Sequence, residues 1–216
     1  MFINRLLCTV FILIISTASL ALAETRPYIG LLSGIPLSSV HKLSDSSASV
    51  DTDSNPGYLA GLTAGVSFDM RGDWNIERAR TEIEMGYRSN ELLLRLKNGT
   101  SLNGRVSVST IMANGYVENT GTLPGNIPII IFLTAGAGAA DASISTIYYR
   151  GTVLVSPAHN TRLAYQGGIG VAYELTKNIR VDAAYKYLGT TNFNFMGIKA
   201  EYGSHNVLFG AQYMFR

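Results

Sequence analysis

The chain has almost no cysteine. Cys8 is the only one among 216 residues, and it falls before residue 24. A lone thiol excludes an internal disulfide and any metal site built on several cysteines. Charge is equally sparse: 17 Lys and Arg stand against 15 Asp and Glu, a net charge of +2. No basic block interrupts that balance, which leaves no footing for nucleic acid. Long apolar runs are missing after residue 23. The longest, Ile127 to Ala140, is broken by Pro128, Gly136 and Gly138, and it is shorter than the roughly 20 residues a spanning helix needs. Glycine and tyrosine are abundant, at 22 and 12 residues. Glycine suits a crowded narrow interior, and tyrosine anchors at membrane interfaces.

Met1 to Ala23 reads as a secretory signal peptide. Arg5 supplies the positive start, Leu6 to Ile15 the apolar stretch, and Ala21-Leu22-Ala23 the small-x-small cleavage site. An uncleaved anchor is the rival reading; Ser16, Thr17 and Ser19 weaken it, and Glu24 with Pro27 favours removal. Cys8 lacks the flanks of a lipoprotein signal. Cleavage leaves residues 24–216 as one domain without cysteine.

That domain alternates in period two, segment after segment. The spacing predicts strands at 28–35, 58–68, 75–88, 105–117, 129–140, 163–173, 179–187 and 199–215. In the third, Ala79, Thr81, Ile83, Met85 and Tyr87 share one face, with Arg78, Arg80, Glu82, Glu84 and Arg88 opposite. Long connections are expected at 38–55, 89–104, 141–160 and 189–195, with short ones at 70–73, 119–126 and 176–178. Long and short alternate, as in a meander whose loops open on one side and turns on the other. Two irregularities stand out. Regular alternation of the fourth segment places Asn114 outward, which either a bulge near Ala113 or a position at the membrane interface would reconcile, and Ile130 and Phe132 face the side expected to be polar. Glu91 to Lys97 could extend the third strand and expose an edge for strand addition, unless the fourth extends equally and covers it.

The last segment sets Val207, Phe209, Ala211, Tyr213 and Phe215 against Leu208, Gly210, Gln212 and Met214. Gly210 to Phe215 matches the pattern Gly, apolar, any, aromatic, any, Phe, with Gly210, Tyr213 and Phe215 at its fixed positions. On this motif, and on the stretches 164–173 and 180–187, the chain resembles the small Gram-negative outer-membrane β-barrel superfamily. That superfamily includes the OmpA transmembrane domain and alphaproteobacterial surface antigens. Leu208, where the family usually has a polar residue, and Arg216, after the Phe, depart from its closing-strand pattern. The resemblance implies an all-β, eight-stranded antiparallel up-and-down transmembrane barrel, with termini periplasmic and long loops extracellular. It also implies that the closing strand is read by the barrel assembly machinery, in a setting of outer-membrane lipid and lipopolysaccharide. It transfers no catalytic residue. A non-catalytic surface antigen or structural protein follows, probing host surface or matrix molecules if it is an adhesin, and acting as a monomer. An outer-membrane lipid-modifying enzyme and a narrow ion-conducting channel are the alternatives.

On this strand assignment Arg78, Arg80, Glu82 and Glu84 enter the lumen from the third strand, and Arg180, Asp182 and Lys186 from the seventh. Unpaired burial would cost several kcal/mol each, so pairing is expected: arginines with Asp182, glutamates with Lys186. An interior of eight strands is filled by side chains, which favours a plug over an ion path. Candidate chemistry is thin. His41, His159 and His205 are the three histidines; Ser204 and His205 are neighbours, and strand neighbours face opposite ways. Residues 51–57 carry oxygen ligands at alternate positions but reach Leu62 where a calcium loop needs its closing acid. Residues 98–100 fit a glycosylation sequon, and a loop apex is the better meaning in this setting. No cofactor or metal is expected.

Overall fold

The computed structural model describes residues 25–44, 52–54, 57–70, 76–95, 101–144, 147–149, 152–155, 158–191, 193–195 and 198–215. The proposed signal peptide, with Ala21 and Ala23, lies outside these residues, as do the sequon 98–100 and residues 51, 55 and 56 of the stretch 51–57. Eight long strands form the wall: β1 (Thr25–Ser44), β2 (Tyr58–Asp69), β3 (Arg78–Arg95), β4 (Ser101–Leu123), β5 (Ile127–Ile144), β6 (Ala158–Glu174), β7 (Ile179–Thr190) and β8 (Ile198–Met214). Each pairs antiparallel with its sequence neighbours, and β8 returns to pair with β1. The result is a closed eight-stranded antiparallel barrel.

Side chains divide by parity. On β4, Val108, Thr110, Met112, Asn114, Tyr116 and Glu118 are buried, while Ile111 and Val117 are exposed. Asn114 therefore faces inward, and the ladders to β3 and β5 run through it without a register shift. The bulge expected near Ala113 is not needed, because the lumen accepts Val108, Met112 and Tyr116 as readily as polar groups. Ile130 and Phe132 are buried with Leu32, Leu59, Tyr116, Ala172, Ala184 and Leu208 in an interior apolar cluster. The outer face is the reverse: Leu31, Leu62, Leu133, Leu163, Ile169 and Phe209 all exceed 50 % exposure, an apolar band no water-soluble protein presents. Aromatic pairs edge it, Tyr58 with Tyr87 and Tyr165 with Tyr187 at the loop end, Tyr213 with Phe215 at the turn end.

The strands are longer than the alternation suggests. β4 has 23 residues and β1 has 20, against the roughly 9–11 a membrane strand requires. The excess lies at the loop end, where pairing continues to Ser44↔Lys199, Arg95↔Ser101 and Ile144↔Ala158. Much of what reads as loop is strand, because above an apolar band the outer face has no reason to alternate. The edge of β3 is covered on both sides at Leu92–Leu94, by β4 and by the short strand Thr52–Ser54. Of the two alternatives for residues 91–97, the covered edge is the one observed. At the turn end the ladder persists to Leu123↔Ile127, so the expected 119–126 connection shrinks to Pro124-Gly125-Asn126. Gly125 (φ 90°) and Asn126 (φ 59°) take the left-handed conformations this tight return demands.

Candidate functional site

The lumen is a stack of hydrogen-bonded charges. At the turn-end mouth, Arg78 bonds Asp69 at 3.3 Å and reaches across the barrel to Glu174 at 2.9 Å. It stays 22 % exposed, so it closes the mouth and does not sit in the buried stack. One layer in, Glu118 is gripped by two guanidinium groups. Arg180 donates through Nη1 and Nη2 at 2.9 and 2.8 Å, and Arg80 through Nε at 2.8 Å. Parallel Arg–carboxylate bonds are the strong, directional kind. A second Arg80 nitrogen, Nη1, donates to the Tyr28 hydroxyl at 3.0 Å and to Gln212 Oε1 at 3.2 Å. Its guanidinium carbon lies 3.9 Å from the Tyr116 ring centre.

Glu82 accepts from Tyr28 at 2.8 Å and from Tyr116 at 2.6 Å. Glu84 Oε2 then accepts from Lys186 at 2.8 Å, Asn114 at 3.1 Å and Gln166 at 3.2 Å. Arg88, bonded to Thr110 at 3.0 Å, stands above Glu84. Val108, Met112, Ala140, Ala142, Ala164, Leu188 and Tyr202 form a second buried apolar cluster toward the loop end. Four cations (Arg80, Arg88, Arg180, Lys186) thus share the interior with four acids (Glu82, Glu84, Glu118, Asp182). Neutrality inside a low-dielectric wall is what makes the burial tolerable.

Two pairings differ from the sequence expectation, the first being that Glu82 accepts from Tyr28 and Tyr116 while Lys186 goes to Glu84. The arginines do not pair with Asp182; that carboxylate accepts from Gln212 Nε2 at 2.9 Å and packs where a Cβ on Gly210 would stand. Glu118 takes its role and was missed. A signal was present: Asn114, Tyr116 and Glu118 share one parity, and ending the fourth strand at Val117 hid the acid in a turn. Gln212, Gln166, Tyr28 and Tyr116 were also overlooked, since a neutral hydrogen-bonding group leaves no charge pattern to follow. The lumen holds a cavity of about 20 Å3 bordered by Thr63, Glu82, Asp182, Lys186 and Gln212, room for about one water.

At the proposed closing-strand signal, Gly210 faces the interior, and Tyr213 and Phe215 face outward at 48 % and 41 % exposure. The Phe215 amide donates to the Pro27 carbonyl at 2.8 Å, tying the end of the chain to the start of β1. Ser204 and His205 fall on opposite faces. The Ser204 hydroxyl donates to Asn206 at 3.0 Å inside the barrel, and the outward His205 ring bonds the Tyr185 hydroxyl and lies against Tyr187. Each is engaged away from the other. Among the described residues no His, Cys, Asp and Glu cluster is arranged to hold a metal.

An exposed apolar belt around a closed strand wall with a filled, charge-neutral interior defines a small membrane-spanning β-barrel. Residues 7–215 match the family model for the outer membrane protein beta-barrel domain, and the chain belongs to that family. Its place is the Gram-negative outer membrane. Among solved structures it is similar to OprG from Pseudomonas aeruginosa, with 13 % identity over 90 % of this chain and 97 % of that one, at a TM-score of 0.51. Neisserial surface protein A shares 16 % identity over 89 % of this chain and 99 % of its own, at a TM-score of 0.48. Ail, the attachment invasion locus protein of Yersinia pestis, shares 14 % over 89 % and 99 %, at 0.42. At such identities the OprG likeness speaks for the fold alone. No curated protein sequence matches the chain.

Proposed function

We propose that this protein is a non-catalytic surface protein, a sealed anchor that presents its long-strand end and loops outside the cell and keeps both termini in the periplasm. The observation that carries this reading is the cross-barrel bonding of Arg180 to Glu118 and of Lys186 to Glu84. These bonds fill the interior and leave the loop end as the surface free to meet other molecules. Loops raised on a rigid wall are where binding specificity is usually built. Here that wall is prolonged by paired β-structure reaching Ser44, Arg95 and Ile144, so whatever the loops carry is held clear of the lipid. A surface antigen, monomeric and acting as an adhesin toward host surface or matrix molecules, fits this build, with lipopolysaccharide as its lateral neighbour and the barrel assembly machinery reading β8.

Deleting the tips of the second and third loops is expected to abolish adhesion of expressing cells to host-cell monolayers while the barrel still folds, judged by its gel mobility shift on boiling. Undiminished adhesion by the folded deletion variant would overturn the adhesin reading. Lipid A profiles that change when the protein is expressed would instead favour an outer-membrane lipid-modifying enzyme.

A further inference from the structure

His205 and three tyrosines form a cluster on the outer wall, apart from the sealed lumen. The His205 ring lies 4.9 Å from that of Tyr187 and 5.9 Å from that of Tyr185, whose hydroxyl bonds its Nδ1. Tyr165 adds a ring 6.4 Å from Tyr187. With the phenol donating to Nδ1, Nε2 is the ring nitrogen left as a donor. Tyr165 lies over Gly189 and Tyr187 reaches over Gly203, where an added Cβ would collide with the tyrosine. Both rings therefore lie against the wall, across the neighbouring strand, and offer a face to the surroundings. His205 precedes Tyr213 on β8 by eight residues. Eight residues of tilted strand span about 20 Å, so the cluster stands at the loop-end edge of the apolar band, as Tyr213 and Phe215 stand at the turn-end edge.

The outward positions in register with this cluster turn small. Tyr187 pairs with His205 and with Gly167, Gly167 with Ala135, and Ala135 with Gly115. Followed on through Thr81 and Val66 the row meets β1 at Pro27, whereas His205 meets β1 at Ser38. The row therefore descends from the cluster toward the turn end. A Cβ on Gly167 or Gly115 would meet only a carbonyl oxygen, at 3.7 and 4.0 Å. Packing within the barrel does not require these glycines, and they leave a shallow depression beside the exposed Leu133 and Ile169.

We propose that this face holds one outer-leaflet glycolipid with a phosphorylated amino-sugar head, lipid A. Its sugar lies on the Tyr165 and Tyr187 rings, a phosphate takes the His205 Nε2 hydrogen, and an acyl chain follows Gly167, Ala135 and Gly115. This deepens the surface role proposed above and rests on it, since that reading sets the loop end in the outer leaflet. The occupant is selected by position and shape. The cluster faces sideways at the lipid boundary, so its ligand comes from within the membrane. A sugar lays its C–H face on an aromatic ring while its hydroxyls and phosphate take the Tyr and His hydrogen bonds. A glycerophospholipid offers phosphate and tail but no ring to cover the tyrosines. A second copy would set one convex wall against another and leave the depression empty.

The experiment offers the refolded full-length barrel, in detergent micelles, equal amounts of hexa-acylated lipid A and phosphatidylglycerol, and counts the lipid retained by native mass spectrometry. Wild-type protein is expected to keep one lipid A at least about fivefold more often than one phosphatidylglycerol. His205→Ala should lose that preference, while Tyr58→Ala, which removes an exposed loop-end ring from β2, should keep it. Equal retention of the two lipids by the wild type would overturn the proposal. So would an unchanged preference in folded His205→Ala, or an equal loss in Tyr58→Ala, which would mean any ring at that level serves. If His205→Ala does not fold, Tyr185→Phe, which removes only the hydroxyl that holds the imidazole, carries the same comparison. Thr191→Cys, exposed just beyond β7 in a chain whose other cysteine precedes the barrel, tests the surface reading separately. No labelling of intact cells by an impermeant maleimide sinks that reading; labelling without a lipid A preference sinks only the glycolipid site.

Discussion

Replacing Glu118 with alanine is expected to destabilise the folded barrel by about 3–5 kcal/mol, the largest loss from any single polar truncation in the lumen. The side chain is buried and receives three donors from Arg80 and Arg180. Its removal leaves two guanidinium groups in the interior with no carboxylate between them. Arg80 retains Tyr28, Gln212 and the weaker Glu82 contact at 3.4 Å, but among the described residues Arg180 has no comparable second acid. Asp182→Asn removes one of the four balancing charges but leaves no guanidinium without its hydrogen-bonded acid, since that carboxylate accepts from a neutral amide, so its effect should be clearly smaller than that of Glu118→Ala. The measurement is urea unfolding of barrels refolded in lipid vesicles, followed by the boiled and unboiled gel bands. Equal midpoints for Glu118→Ala and Asp182→Asn would contradict the assignment of Glu118 as the hub.

Gly170→Val should be nearly as damaging, for a steric reason. A Cβ built on Gly170 would overlap the Phe132 ring, which lies across that glycine from the facing strand. Phe132 also meets Tyr116 edge-on at 5.7 Å and sits 5.8 and 5.9 Å from the guanidinium carbons of Arg80 and Arg180. A valine at 170 therefore displaces a ring wedged between two buried cations, and overpacking of this sort costs about 1–3 kcal/mol or more. The expected result is a collapse in refolding yield for Gly170→Val, recovered in part by adding Phe132→Ala. Additive losses in the double variant would show that the ring and the glycine are not coupled.

The charge stack could be anticipated from sequence to the extent that strand phase could. The third strand puts Arg80, Glu82, Glu84 and Arg88 on one parity without ambiguity, because its opposite positions are Thr81, Ile83, Met85 and Tyr87. β4 is harder. Its inward set mixes Val108, Met112 and Tyr116 with Asn114 and Glu118, so hydrophobicity alone cannot tell inside from outside in a barrel narrow enough to need apolar filler. Asn114 and Glu118 at a spacing of four would have settled the phase, had the strand been carried past Val117. Strand ends were obscured for a related reason. Alternation marks the part of a strand whose two sides face different media, and beyond the apolar band both sides meet polar surroundings. The pairing partners of the cations depend on stagger across the barrel, which no single strand encodes.

The central claim is that these side chains close the barrel to flow. Single-channel recording of the refolded protein in planar lipid bilayers at neutral pH tests it most directly. A lumen spanned by the Arg180–Glu118 and Lys186–Glu84 bonds predicts a flat baseline with no resolved steps, unchanged when Arg78 at the mouth is replaced by glutamine. Reproducible discrete openings whose size changes on neutralising Glu82 or Lys186 would contradict it and turn the charge stack into an ion path.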